Sequence, residues 1–271
     1  MSISHVTNSA EKELVIRQCE NNGEIWVLVL NNPPVNVLTE IVFQKLDGDL
    51  EAFERDSKSK ILILTGAGER AFSAGVAIDE IIKTESVEKL VLLAKRGQQF
   101  CDRLEKMDKP VIAAINALCL GGGNEVALAC HFRLASENAK FGQPEINMGF
   151  IPGFGGTQRL SRLVGISRAR KMILTGETID AKEAFRIGLV DMILPKDKFL
   201  NDVFAFANRI AGKGQVSIRV AQRALREGHS KSLKEGTALE LECFKETCET
   251  EDMKEGLKAF VEKRKPNFRD K

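Results

Sequence analysis

A chain of 271 residues, 43% hydrophobic and 29% charged, is long enough to bury a full core as one large domain or a domain with an appendage. Its formal net charge of +2 calls for no nucleic acid or anionic membrane as partner, and no apolar run approaches the roughly 20 residues of a membrane span. Six cysteines without a Cys-x-x-Cys pair and three histidines far apart at positions 5, 131 and 229 speak against a disulfide framework, a histidine-rich metal site and a serine or cysteine triad.

Residues 24–30 form a β-prone apolar run ended by Asn31-Asn32-Pro33-Pro34. Thr39 caps an amphipathic stretch in which Ile41, Val42, Phe43, Leu46, Leu50 and Phe53 recur at helical spacing. Residues 60–65 read as a second buried strand, 86–107 as a long helix, and 111–115, after Pro110, as a third strand. Gly121-Gly122-Gly123 opens a helix that runs to Ala129, and residues 132–135 are a further strand. Helical patterns follow at 157–164, 167–174 and 181–187, then a last short strand at 190–194. From 199 to 265 the pattern is helical throughout, broken near Gly212-Lys213-Gly214 and Gly228-His229. The expectation is an α/β core over residues 1–198 and a helical region over 199–271.

Residues 61–71 place Gly66-x-Gly68-x-x-Ala71 after a strand, much like a dinucleotide-binding turn. That fingerprint needs a helix directly behind it and an acidic strand end about 20 residues on. Here Phe72-Ser73-Ala74-Gly75 makes a second turn instead, so a nucleotide cofactor is the weaker reading. Stronger chemistry lies in Glu125 and Glu145, each inside a glycine-marked motif. Two carboxyls at one site can divide proton donation and removal, because burial and mutual repulsion separate their pKa values. The glycines before Glu125 expose backbone N–H groups that no side chain shields. Against this stands the plain reading of two surface glutamates beside unrelated turns.

Taken together, the ordered motifs resemble the enoyl-CoA hydratase/isomerase (crotonase) superfamily over nearly the whole chain. They are Asn32-Pro33-Pro34-Val35-Asn36, Ala71-Phe72-Ser73-Ala74-Gly75, Gly121-Gly122-Gly123-Asn124-Glu125, Phe141-Gly142-Gln143-Pro144-Glu145 and Ile151-Pro152-Gly153-Phe154-Gly155-Gly156-Thr157-Gln158-Arg159-Leu160. Leu174-Thr175-Gly176 and the close, Gly256 with Ala259-Phe260-Val261-Glu262-Lys263-Arg264, complete the set. The resemblance implies a superhelix of strand-strand-helix units, with C-terminal helices that assemble trimers or dimers of trimers. It implies an acyl-CoA thioester as ligand, coenzyme A being part of the substrate and no further cofactor or metal being needed. The thioester oxygen would lie between the N–H groups of Ala74 and Gly122. Glu125 and Glu145 would activate the water that adds to C3 of a 2-enoyl thioester, Glu145 delivering a proton to C2. Gly153 would help define the water site. Ser73, Gly75, Val76, Ala77 and Ile78 would border the CoA and acyl group, with the acyl tunnel drawn from residues 78–93. Phe260 and Lys263 would reach the CoA of a neighbouring subunit.

Three positions depart from the family pattern: Ala77 where aspartate is common, Ala117 where glycine usually follows Asn116, and His131, expected to be structural, where aspartate is common. None removes the hydration machinery, although loss of the aspartate adds cyclic enoyl-CoA to the candidate substrates. A Δ3,Δ2-enoyl-CoA isomerase, which needs no water, is the nearest enzymatic rival. An RNA-binding relative is a minor reading, because Lys95-Arg96 and the basic residues of 219–226 are interspersed with apolar or polar neighbours. Residues 1–14 hold no apolar leader core, so the cytoplasm is the expected location.

Overall fold

In the computed structural model, which describes residues 13–84 and 86–271, the apolar runs become neighbouring strands. The leader expectation rests largely on residues outside the described ones. In chain order the strands are β1 (Val15–Glu20), β2 (Ile25–Leu30), β3 (Ile61–Gly66), β4 (Ala71–Ser73), β5 (Val111–Ile115), β6 (Leu118–Leu120), β7 (Phe132–Ser136), β8 (Lys140–Gly142), β9 (Thr178–Asp180) and β10 (Met192–Leu194). The helices are α1 (Glu40–Arg55), α2 (Ile78–Ile82), α3 (Val87–Lys106), α4 (Gly122–Ala129), α5 (Gly156–Val164), α6 (Ile166–Thr175) and α7 (Ala181–Arg186). The C-terminal part adds α8 (Phe199–Ala211), α9 (Gln215–Gly228), α10 (Leu233–Cys248) and α11 (Glu251–Val261). No described helix is long and apolar enough to cross a membrane.

A six-stranded sheet has the order β1-β2-β3-β5-β7-β10, parallel except for the antiparallel β1–β2 pair. Every residue of β2, β3 and β5 is buried, as befits parallel strands covered on both faces. Leu28, Leu30, Leu62 and Leu64 face Phe43 and Phe53 of α1 and Phe100 of α3. Val27, Val29, Ile61 and Ile63 face Phe199, Val203 and Ala207 of α8.

A second sheet, β4-β6-β8-β9, is made of three-residue strands, with β4, β6 and β8 mutually parallel. Each of these three follows one strand of the large sheet after a short turn and leads into a helical segment. This is the strand-strand-helix unit that the resemblance implied, and it sets three chain segments side by side at one end of the small sheet.

The helix caps follow the sequence signals: the Thr39 side chain accepts the Val42 N–H at 3.3 Å, and that of Ser86 accepts the Lys89 N–H at 3.4 Å. Some expectations are corrected. Ile41 is 56% exposed rather than part of the buried face of α1. The last helix ends at Val261, not at 265, and a break at Glu249–Thr250 separates α10 from α11. Behind Gly66-x-Gly68 stands strand β4, not a helix, so that turn is not a dinucleotide fingerprint. Asn116 ties its turn together by donating from Nδ2 to the carbonyls of Gly66 (3.1 Å) and Gly68 (2.8 Å), and Ala117 is accommodated beside it. His131 accepts the Val111 N–H at Nδ1 (2.9 Å), and burial lowers its pKa to about 4, so it serves the fold as a neutral ring.

Candidate active site

Beyond β4, β6 and β8 lie Ala74-Gly75-Val76, Gly121-Gly122-Gly123 and Gln143-Pro144-Glu145, and these segments meet. Their approach depends on absent side chains. A Cβ on Gly123 would stand 2.3 Å from the Ser73 carbonyl oxygen, so α4 seats against β4 only with glycine there. Gly121 has φ 53° and ψ −129°, a conformation closed to side-chain-bearing L residues.

Glu125, in the first turn of α4, is 2% exposed. Its Oε1 accepts the N–H groups of Phe154 at 2.7 Å and Gly156 at 2.6 Å, so the Ile151–Gly156 loop wraps round a carboxylate. Glu145 lies in a 3-10 turn, Pro144–Met148, and is 5% exposed; among the described residues its Oε2 has no hydrogen-bond partner. Burial pushes both carboxyls up to about 7. For Glu125 the Gly156 amide opposes the rise and the charge of Glu145 adds to it. For Glu145 its own backbone N–H opposes it.

Both glutamates line one cavity of about 240 Å³. Its remaining side chains are apolar, chiefly Ile78, Ile81, Leu90, Leu93, Met148, Phe150, Ile151 and Phe154, with no lysine, arginine or histidine among them. Of residues 78–93, the stretch from which an acyl tunnel is expected, Ile78, Ile81, Leu90 and Leu93 line this cavity. Phe150 and Phe154 had not been singled out; their signal lay in their place within or beside the Ile-Pro-Gly motif.

The backbone N–H groups of Val76 and Gly122 are open at this cavity. The Leu38–Val76 bridge is made by Leu38 N–H to Gly75 O (2.8 Å) and Ala77 N–H to Leu38 O (3.3 Å), which turns the Val76 N–H to the other side. The Gly122 nitrogen sits at the helix start, 2.9 Å from where a Cβ on Gly75 would lie. Among the described residues neither N–H has a protein acceptor. The Ala74 N–H, by contrast, donates to the Val35 carbonyl at 2.9 Å. Ala74 lines the cavity, but its donor is committed to the fold, which corrects its assignment as half of a donor pair.

The other candidate residues fall as follows. Ser73 is buried and its Oγ accepts the Gly75 N–H at 3.1 Å, fixing the turn. Ala77 caps the start of α2 and does not line the cavity, whereas Ile78 and Gly153 do. Phe260 is 82% exposed near the end of α11, and neither it nor Lys263 lines the cavity of its own chain.

A family model for enoyl-CoA hydratase/isomerase matches residues 20–271. The chain is similar to the short-chain-enoyl-CoA hydratase of Clostridium acetobutylicum, at 41% identity over 249 residues, 91% of this chain and 94% of that one. It is equally similar to the crotonyl-CoA hydratase of Syntrophomonas wolfei, 41% identical over 250 residues, 92% of this chain and 96% of that one. Among solved structures, an enoyl-CoA hydratase from Bacillus anthracis matches with a TM-score of 0.92 at 34% identity, covering 96% of this chain and all of the other. The chain therefore belongs to the enoyl-CoA hydratase/isomerase family. It is an enzyme with the crotonase fold.

Proposed function

We propose that the enzyme adds water across the C2=C3 bond of a 2-enoyl-CoA thioester to give a 3-hydroxyacyl-CoA. The observation that carries this reading is a pair of buried carboxyls, both raised to about 7, facing one apolar cavity beside two open backbone N–H groups. The thioester oxygen is held by the N–H groups of Val76 and Gly122. As water oxygen bonds to C3, the π electrons pass through C2 to that oxygen, and the donors stabilise the enolate. A fixed donor of this kind contributes ~2.7–4 kcal/mol to the transition state.

Glu125, whose Oε1 already accepts two N–H groups, is the better anion and takes the proton from water. Glu145, with its unpartnered Oε2, carries the proton that passes to C2 as the enolate collapses. Proton exchange between the carboxyls then resets the site. Gly153 borders the water position. An isomerase needs only one proton-moving group, so two carboxyls on one cavity support hydration over the Δ3,Δ2-isomerase alternative.

The wall supports an uncharged, short- to medium-length acyl group. A cavity of ~150 Å³ admits benzene, so about 240 Å³ suits a short chain with its thioester and water, or a compact ring. No other cofactor enters this scheme. The exposed Leu241, Phe244, Leu257, Phe260 and Val261 on α10 and α11 support a homotrimer or dimer of trimers, in which Phe260 and Lys263 meet the CoA of a neighbouring subunit. RNA gains no support: Arg223 pairs with Glu246, and Arg226 donates to the Lys106 carbonyl.

The test is a panel of linear, branched and cyclic 2-enoyl-CoA thioesters, followed by loss of the conjugated 2-enoyl absorbance, with 3-enoyl-CoA, followed by its appearance. Turnover of the 3-enoyl substrate with no hydration of any 2-enoyl thioester would overturn the hydratase reading.

A further inference from the structure

Gln143 has no part in the reaction above, yet it is fully buried between the two motifs that supply it. Oriented with its nitrogen toward the two carbonyls it faces, its side-chain amide donates to Gly121 O at 3.0 Å and Gly142 O at 3.1 Å. The opposite orientation would set an oxygen against two acceptors, so the partners assign the amide. Gly121 O also accepts the Glu125 N–H at 3.0 Å, and Gly142 O accepts the Gly121 N–H at 3.0 Å. One amide nitrogen thus ties both ends of a glycine held in a conformation other residues avoid.

The Gly121 carbonyl and the Gly122 N–H belong to one planar peptide group and point in opposite directions. Whatever fixes the carbonyl fixes where the N–H aims. A carbonyl that accepts two hydrogen bonds also leaves its N–H the stronger donor, through polarisation along the chain of bonds. We infer that Gln143 is a positioning residue for the Gly122 N–H, setting its direction and donor strength toward the thioester oxygen. This rests on the reading of Gly122 as an oxyanion donor.

Two variants test it. Gln143→Leu removes both donated bonds at similar volume. Gln143→Glu keeps a donor only while its carboxyl is protonated, a state favoured by burial and by the two facing carbonyls. Expected for Gln143→Leu is a fall in kcat of ~10–100-fold with little change in KM, the sign of an interaction that strengthens in the transition state. Expected for Gln143→Glu is activity near that of the parent at acid pH, with an added loss as that carboxyl ionises.

The deciding readout is the thioester carbonyl stretch of bound butyryl-CoA, which cannot be hydrated. The parent enzyme should lower this frequency, and Gln143→Leu should reverse part of that shift, whereas a residue that only fills space would leave it unmoved. An unchanged shift and kcat in folded Gln143→Leu overturn the role of Gln143. A parent enzyme that does not shift the carbonyl overturns the Gly122 reading, and the inference with it. Should Gln143→Leu fail to fold, the pH response of Gln143→Glu decides alone: a flat ratio to the parent enzyme across pH overturns the proposal.

Discussion

The cavity has two unlike walls. The inner one, from the ends of β4, β6 and β8, is buried and glycine-dense, and its geometry is set by backbone hydrogen bonds. The outer one comes from α2, the first half of α3 and residues 148–151. No residue of α2 is buried, and the buried residues of α3 are Gly97, Phe100, Cys101 and Leu104, all in its second half. Met148 is 48% and Ile151 64% exposed. On the proposed reading, chemistry that needs donors placed within tenths of an ångström is built on the wall where a change means moving backbone. Choice of acyl group would then fall to the wall where side chains can change at little cost in stability.

The largest effects should come from the inner wall's amides. Gly122→Pro removes the donor N–H at the first position of α4, a place where helices tolerate proline, and turnover is expected to be lost. Val76→Pro should act alike, since the bridge to Leu38 runs through Gly75 and Ala77 rather than through the Val76 N–H. Normal kcat in either folded variant removes that residue from the donor pair.

Next come the carboxyls. If both groups act on one water and one enolate as proposed, Glu125→Gln and Glu145→Gln should each lower kcat by a factor on the order of 10²–10⁴, and the double variant by much less than the product. For an isomerase, one variant would keep near-full activity on 3-enoyl-CoA while the other lost it. Circular dichroism should show each variant folded.

The same contrast explains what could be read from sequence. The large sheet was visible because β2, β3 and β5 are continuous runs of five or six buried residues, enough for an apolar signal to stand out. The small sheet was not, because three residues carry no periodicity. Strand β1 escaped as well, since its Val-Ile-Arg-Gln-Cys-Glu is largely solvent-facing. The site is legible through motifs rather than pattern: the motifs lead to Glu125, Glu145 and Gly122, which line one cavity, and to Ala74, whose N–H goes to the Val35 carbonyl instead. Which N–H stays open depends on the partners of Leu38 and Val35, and no local pattern reports pairings between segments so far apart.

Smaller, but specific in sign, is the dependence of stability on pH. The carboxyls of Glu125 and Glu145 rise from an ordinary 4.5 to about 7 on folding. Between those values the folded chain binds more protons than the unfolded one, so their contribution to stability is present below about 4.5 and lost as pH rises through about 7. A glutamine cannot ionise. Glu125→Gln should therefore be more stable than the parent enzyme at pH 8, by on the order of 1–3 kcal/mol, with the advantage shrinking toward pH 4.5. Urea midpoints across this range measure it, and a Glu125→Gln variant that is the less stable at pH 8 would show that burial does not penalise this carboxylate. For activity, the coupled pair should give a bell-shaped kcat/KM profile centred near neutrality, with pKa values that belong to the pair.

The outer wall should yield the smallest effects and the most selective ones. Leu93 lines the cavity from α3 and is only half-buried, so Leu93→Ala should cost little stability, roughly 1 kcal/mol or less. Each methylene of a bound acyl chain that no longer packs against this wall is worth ~0.8 kcal/mol, about fourfold in kcat/KM. A short linear 2-enoyl-CoA should keep its kcat within a few-fold, while branched or cyclic thioesters gain relative to it as the wall recedes. An ω-carboxyl acyl group should remain a poor substrate, because the enlarged wall still offers no cation. If Leu93→Ala instead lowered kcat on every substrate as far as the glutamate variants do, the division between a chemical wall and a selecting wall would fail. An acyl profile identical to that of the parent enzyme would leave the chemistry where it is and move selection away from α3, to Met148, Phe150 and Ile151, the side chains that close the cavity from the other edge.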